Sequence, residues 1–89
     1  MDAEGVEEEG GRRADRAHFP ILRAMGEAVA SRRTALGLTQ SAVARECEFH
    51  RSYVSTIEQG LRNPTLVTLA CLASALDCRL SDLLRDAGY

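Results

Sequence analysis

Arg51, Ser52, Ser55 and Thr56 gather a guanidinium and three hydroxyls within six residues. On a helix their spacing turns them away from a face formed by Val54 and Ile57. They therefore offer hydrogen bonds to polar groups, where a protein-binding face carries large apolar anchors. Other groups of reactive residues are incomplete. Cys47 and His50 stand at C-x-x-H spacing, but no second pair supplies the remaining ligands of a zinc site. The three cysteines, Cys47, Cys71 and Cys78, are odd in number, sit among apolar residues and form no C-x-x-C pair, so they read as reduced core thiols. The sequence has no paired carboxylates with an evident pocket, no nucleophile and base in motif spacing and no phosphate-binding glycine loop, which makes an enzyme the weakest reading. Asp77 and Asp82 are explained by positions at helix ends. No cofactor, metal or small-molecule ligand is expected.

The chain that positions these groups has 89 residues, 45% hydrophobic and 27% charged, the size and composition of one small globular domain. Such a domain buries only about two-thirds of the surface its unfolded chain exposes, which invites support from a second subunit and leaves no room for a large substrate cavity. The longest uncharged stretch, Asn63 to Leu76, is too short for a membrane span, and the chain opens on acids instead of a basic, then apolar, signal segment. A cytoplasmic protein with no membrane partner is expected.

Net charge is −2, but the charge is unevenly distributed. Asp2, Glu4, Glu7, Glu8 and Glu9 place five acids and no base in the first nine residues, whereas from Gly10 onward eleven bases outnumber eight acids. Every base is an arginine, which reflects either phosphate recognition or a genome-wide bias in composition. Residues 1–18 carry three glycines and almost nothing large and apolar, so they cannot repay the entropy of ordering. They read as a flexible acidic tail ahead of a folded domain at 19–89. The tail either competes with a partner's phosphates for the basic face or is a solvated leader.

Apolar residues at Ile21, Leu22, Met25, Ala28, Val29 and Leu36 follow the stripe of an amphipathic helix, ended by Gly37. Thr39 is placed to cap a short second helix from Gln40 to about Cys47, with Val43, Ala44 and Cys47 on one face. After Glu48-Phe49-His50 a third helix fits Arg51 to Gln59, closed by Gly60. Asn63-Pro64-Thr65 caps a fourth from Leu66 to Leu76, and Ser81 a fifth from Asp82 to about Asp86. The fourth is apolar nearly all round, so it is either the central buried element or, with Leu80 and Leu84, part of a subunit interface. No segment shows strand alternation, and an all-α, compact five-helix domain is expected.

Two short helices joined by a tight turn, the second presenting an arginine and small polar residues outward, form the arrangement of a helix-turn-helix DNA reader. The segments Gly37-Leu38-Thr39-Gln40, Val43-Ala44, Tyr53-Val54-Ser55-Thr56-Ile57-Glu58-Gln59-Gly60 and Arg62-Asn63-Pro64-Thr65-Leu66 resemble the phage repressor and Cro-like (XRE-type) helix-turn-helix family, over roughly Gly26 to Leu84. Within it, His50-Arg51-Ser52-Tyr53-Val54-Ser55 followed by Glu58-x-Gly60-x-Arg62-Asn63 is most similar to the controller proteins of restriction-modification systems, which are small homodimeric regulators.

The resemblance implies roles for individual residues. Arg51, Ser52, Ser55 and Thr56 would read base edges, with Arg51 taking guanine O6 and N7 together. Gln40, at a helix N-terminus, would bond a phosphate, and His50, Tyr53, Arg62 and Asn63 would meet the backbone and fix register. Plainer readings stand beside these: Tyr53 as a packing residue, Ser55 and Thr56 as surface residues, His50 as an N-cap. Arg33 and Glu58 match positions of a structural ion pair that sets the angle between the first and recognition helices, acting alike on all DNA sequences. Glu48 stands where the family often has glycine, so the turn either changes conformation or holds a strained residue. Arg32 replaces a usual apolar residue, its stem covering the core while its head reaches solvent.

The expected function is a sequence-specific, homodimeric transcriptional regulator, repressor or activator, on a pseudo-palindromic double-stranded DNA operator. Leu80 and Leu84 are the expected dimer contacts. The rival is an antitoxin-like protein-interaction module on the same fold.

Overall fold

The computed structural model describes residues 19–89, and the acidic tail lies outside them. Five helices follow in order: α1 (Pro20–Ala35), α2 (Gln40–Cys47), α3 (Arg51–Glu58), α4 (Leu66–Ala75) and α5 (Leu80–Asp86). No strand occurs among the described residues. Pro20 opens α1, where its missing N–H is no loss. Leu22, Met25, Gly26, Ala28 and Val29 then form the buried stripe.

The side chain of Thr39 accepts the Ala42 N–H at 3.0 Å and caps α2. Glu48 ends that helix in the left-handed conformation, with φ 59° and ψ 39°. Of the two alternatives for this turn, the chain adopts the strained one: a side-chain-bearing residue holds the geometry that glycine adopts freely. After α3, Gly60 takes φ 78° and lies against α1, where a Cβ would stand 2.9 Å from the Arg23 Cα. Both the turn and the close approach require glycine there.

Thr65 caps α4 by accepting the Thr68 N–H at 3.1 Å. Helix α5 begins before Asp82, the expected start, because the Asp82 carboxylate reaches back to accept the Arg79 N–H at 2.9 Å, which leaves Ser81 inside the helix. That bond is the first cause of the lowered pKa of Asp82.

Each helix contributes at least one fully buried side chain to a single core: Val29, Val43, Val54, Leu72 and Leu83, with Leu76 just after α4. Helix α3 packs on α1 and α2, and α4 on α2 and α5. Helix α3 is thus held from two sides. The central position considered for α4 is not what forms. Within the helix only Leu72 and Ala73 are buried, whereas Leu66 is 73% and Val67 80% exposed.

Candidate nucleic-acid interface

Helices α2 and α3, joined through Glu48-Phe49-His50, form a helix-turn-helix. The Phe49 N–H closes the turn by donating to the Ala44 carbonyl at 2.8 Å. Arg51 and Ser52 at the start of α3 are exposed. Ser55 and Thr56 are half-buried, less outward than their spacing suggested. The Ser55 hydroxyl accepts from Gln59 Nε2 at 3.1 Å, and Thr56 Oγ1 donates to the Tyr53 carbonyl at 2.9 Å. His50 is exposed and makes no side-chain capping bond.

Behind the start of α3 runs a chain of charged and polar groups. Arg33 Nε donates to Glu58 Oε2 at 2.6 Å and Arg33 Nη2 to Glu58 Oε1 at 3.1 Å, a two-pronged pair with side chains only 14% and 7% exposed. Arg33 Nη1 donates to the Leu38 carbonyl at 2.7 Å, tying the α1–α2 connection to the same guanidinium. Its hydrogen bonds to Glu58 raise the Arg33 pKa against the opposing effect of burial. Gln40 extends the chain: its Nε2 donates to Glu58 Oε1 at 2.9 Å, and its Oε1 accepts from Arg51 Nη1 at 3.1 Å. The side chain expected to bond a phosphate is therefore engaged on both sides within the protein.

A second group surrounds Tyr53, whose ring meets Phe49 edge-on at 5.2 Å and carries the Arg62 guanidinium at 5.6 Å from its centroid. Arg62 Nε also reaches Thr56 Oγ1 at 3.4 Å. Tyr53 thus both packs and positions a cation. Asn63 follows, exposed. Arg32, on α1, carries its head to Asp86 on α5 at 2.7 Å, and this bond is the first cause of its raised pKa.

One role and one residue escape sequence reasoning. The bridging role of Gln40 has no sequence signal, because its partners lie 18 and 11 residues away. Gly26 had one: a glycine inside a helix costs about 1 kcal/mol against alanine and calls for a reason. The reason is the end of α3, since a Cβ on Gly26 would collide with the carbonyls of Ile57 and Glu58.

Among the described residues no group of His, Cys, Asp and Glu is placed to hold a metal ion. Burial, reinforced by Cys71, pushes the Cys47 thiol up to about 12, which keeps it protonated and inert at neutral pH. No described helix is long and apolar enough to cross a membrane.

The fold and the paired helices define a helix-turn-helix protein. The helix-turn-helix family profile matches residues 29–83, and the chain belongs to that family. It is 36% identical over 75 residues to control protein C.SmaI of Serratia marcescens, covering 84% of this chain and 89% of that one. The restriction-modification controller protein C.AhdI of Aeromonas hydrophila superposes with a TM-score of 0.71 at 38% identity, over 73% of this chain and 98% of its own. The controller protein C.Esp1396I, solved as a tetramer in complex with its natural 35-base-pair operator, shares the fold with a TM-score of 0.67 at 23% identity, over 78% of this chain and 96% of its own.

Proposed function

We propose that this chain is a sequence-specific transcriptional regulator of the restriction-modification controller type, acting by occupying a double-stranded DNA operator. The observation that carries the reading is the outward face of α3. The exposed large apolar residues among the described residues are Phe19, Ile21, Leu36, Leu61, Leu66, Val67 and Tyr89, and none lies in α3. That helix presents Arg51 and Ser52 instead, groups that suit base edges in a major groove and lack the apolar anchors an antitoxin-like partner surface needs. Arg51 reads bases, with Ser52 and the partly covered Ser55 and Thr56 beside it. Arg62, held over Tyr53, grips the backbone with Asn63 and His50.

The chain acts as a homodimer on a pseudo-palindrome with half-sites about 34 Å apart. One headpiece reads few base pairs, and Leu66 and Val67 leave an apolar surface uncovered on α4. We place a second copy of the chain there. Leu80 and Leu84, the contacts suggested by sequence, are half-buried against the core and keep part of their surface free for a contact between copies. Soluble regulators of this kind work in the cytoplasm, and no catalysis is assigned.

Selection of bound duplexes from a random pool tests the function. Enrichment of one palindromic sequence is expected, and a pool that stays random after repeated rounds contradicts it.

A further inference from the structure

We propose that residues 2–9 of this chain dock on the outward face of α3 and on Arg62 beside it, in competition with DNA; the competition rests on the DNA-reading function proposed above. Among the described residues, ion pairs engage Arg32 with Asp86, Arg33 with Glu58 and Arg85 with Asp82. Arg51 and Arg62 are both exposed, and their partners among those residues are neutral: Gln40 Oε1 for the first, the Thr56 hydroxyl and the Tyr53 ring for the second. Glu58, at the far end of α3, is already taken by Arg33. An anion arriving on this face thus meets two cations without displacing a described carboxylate.

Residues 2–9 have the chemistry of such an anion. Asp2, Glu4, Glu7, Glu8 and Glu9 give them five acids and no base. Consecutive acids in an extended chain follow one another about every 3.4 Å, the linear charge density of one DNA strand along its axis. The tether reaches the face. Phe19, where the described residues begin, stands one helical turn, about 6 Å, before Arg23. The Arg23 backbone lies against Gly60, where a Cβ would stand 2.9 Å from the Arg23 Cα. From Gly60 the chain leads back along α3 to Arg51 and forward to Arg62, so the backbone of both lies within about 25 Å of Phe19. Residues 10–18 span about 30 Å when extended. A ligand on so short a linker faces its site at about millimolar effective concentration, which makes even weak ion pairing count. Docking there covers the reading and the gripping arginine alike, so it raises the protein concentration at which any duplex is filled and leaves discrimination between duplexes unchanged.

The test compares the full-length parent with a full-length variant neutralised at five positions: Asp2→Asn, Glu4→Gln, Glu7→Gln, Glu8→Gln and Glu9→Gln. Amide NMR spectra recorded without DNA report the contact. Shifts are expected at Arg51, Ser52, Arg62 and Asn63, and not along α5. Affinities for the selected operator and for an unrelated duplex report the competition. The neutralised variant is expected to bind each about three- to tenfold more tightly at low salt, the combined effect of a few exposed ion pairs. The gain should fade as salt rises, which gives the variant the steeper salt dependence.

Tighter binding without any shift on α3 would mean that the acids repel DNA from a distance, and it overturns the docking. Shifts confined to Arg12, Arg13 and Arg16 would mean that the acids pair with arginines of their own segment, which overturns it as well. Equal affinities of parent and variant at low salt overturn the competition while leaving DNA reading intact. If neither protein prefers the operator over the unrelated duplex, the function on which the competition rests is overturned, and the spectra still decide the contact.

Discussion

Gly26 of α1 lies so close to the end of α3 that a Cβ built on it would stand 2.6 Å from the Glu58 carbonyl oxygen. The backbone of the first helix is therefore the seat on which α3 rests, next to the side-chain pair of Arg33 and Glu58. Gly26→Ala is expected to lower stability by about 1 to 3 kcal/mol, the cost of overpacking a filled site, despite the higher helix propensity of alanine. Thermal denaturation checks it, and a variant melting at or above the parent would show that α1 and α3 separate freely.

The Arg33–Glu58 pair is nearly buried, so removing one partner leaves an uncompensated charge. Arg33→Ala or Glu58→Ala should each cost about 3 to 5 kcal/mol, while a double replacement by apolar residues of similar size costs much less. Unfolding by denaturant separates these outcomes. Single variants as stable as the parent would mean that the pair is solvated in solution.

The turn between α2 and α3 contains a strain that can be removed. Glu48 holds φ 59°, and Glu48→Gly should stabilise the protein by about 1 kcal/mol, because glycine adopts the left-handed conformation without steric cost. The midpoint of denaturant unfolding reports it, and a lower midpoint would mean that the Glu48 side chain contributes more than its backbone costs.

Much of this architecture was legible in the sequence. Thr39 and Thr65 announce their helices because a threonine cap bonds a backbone N–H two or three residues on, a purely local event. Helix α5 starts two residues ahead of the expected Asp82, because Ser81 has the chemistry of a cap and the sequence does not show that the Asp82 carboxylate reaches back to the Arg79 N–H. Helix α4 illustrates a different limit. An apolar residue on every side says that burial is favourable but not which side meets the core, so the exposure of Leu66 and Val67 had no signature. The link from Glu58 through Gln40 to Arg51 depends on three elements meeting in space, which spacing along the chain does not encode.

That exposed surface carries a prediction about assembly. The parent should sediment at about twice its 9.7 kDa mass at micromolar concentration, and Val67→Glu should return it to the monomer while preserving its helical content. A parent that remains a 9.7 kDa species with and without DNA would refute the dimer. A dimer unaffected by Val67→Glu would move the interface away from α4, toward Leu80 and Leu84.

The separation of reading from gripping is the central claim, and one set of measurements addresses it: affinities of Arg51→Ala and Arg62→Ala for the operator and its single-base variants at several salt concentrations. Arg51 opens the helix proposed to enter the groove, so its loss should remove about 1 to 3 kcal/mol of discrimination at one symmetric base pair. Arg62, stacked on Tyr53 beyond that helix, should when replaced weaken every site by a similar factor and reduce the salt slope by about one unit. Uniform loss in Arg51→Ala together with altered base preference in Arg62→Ala would contradict the account and reverse the two roles.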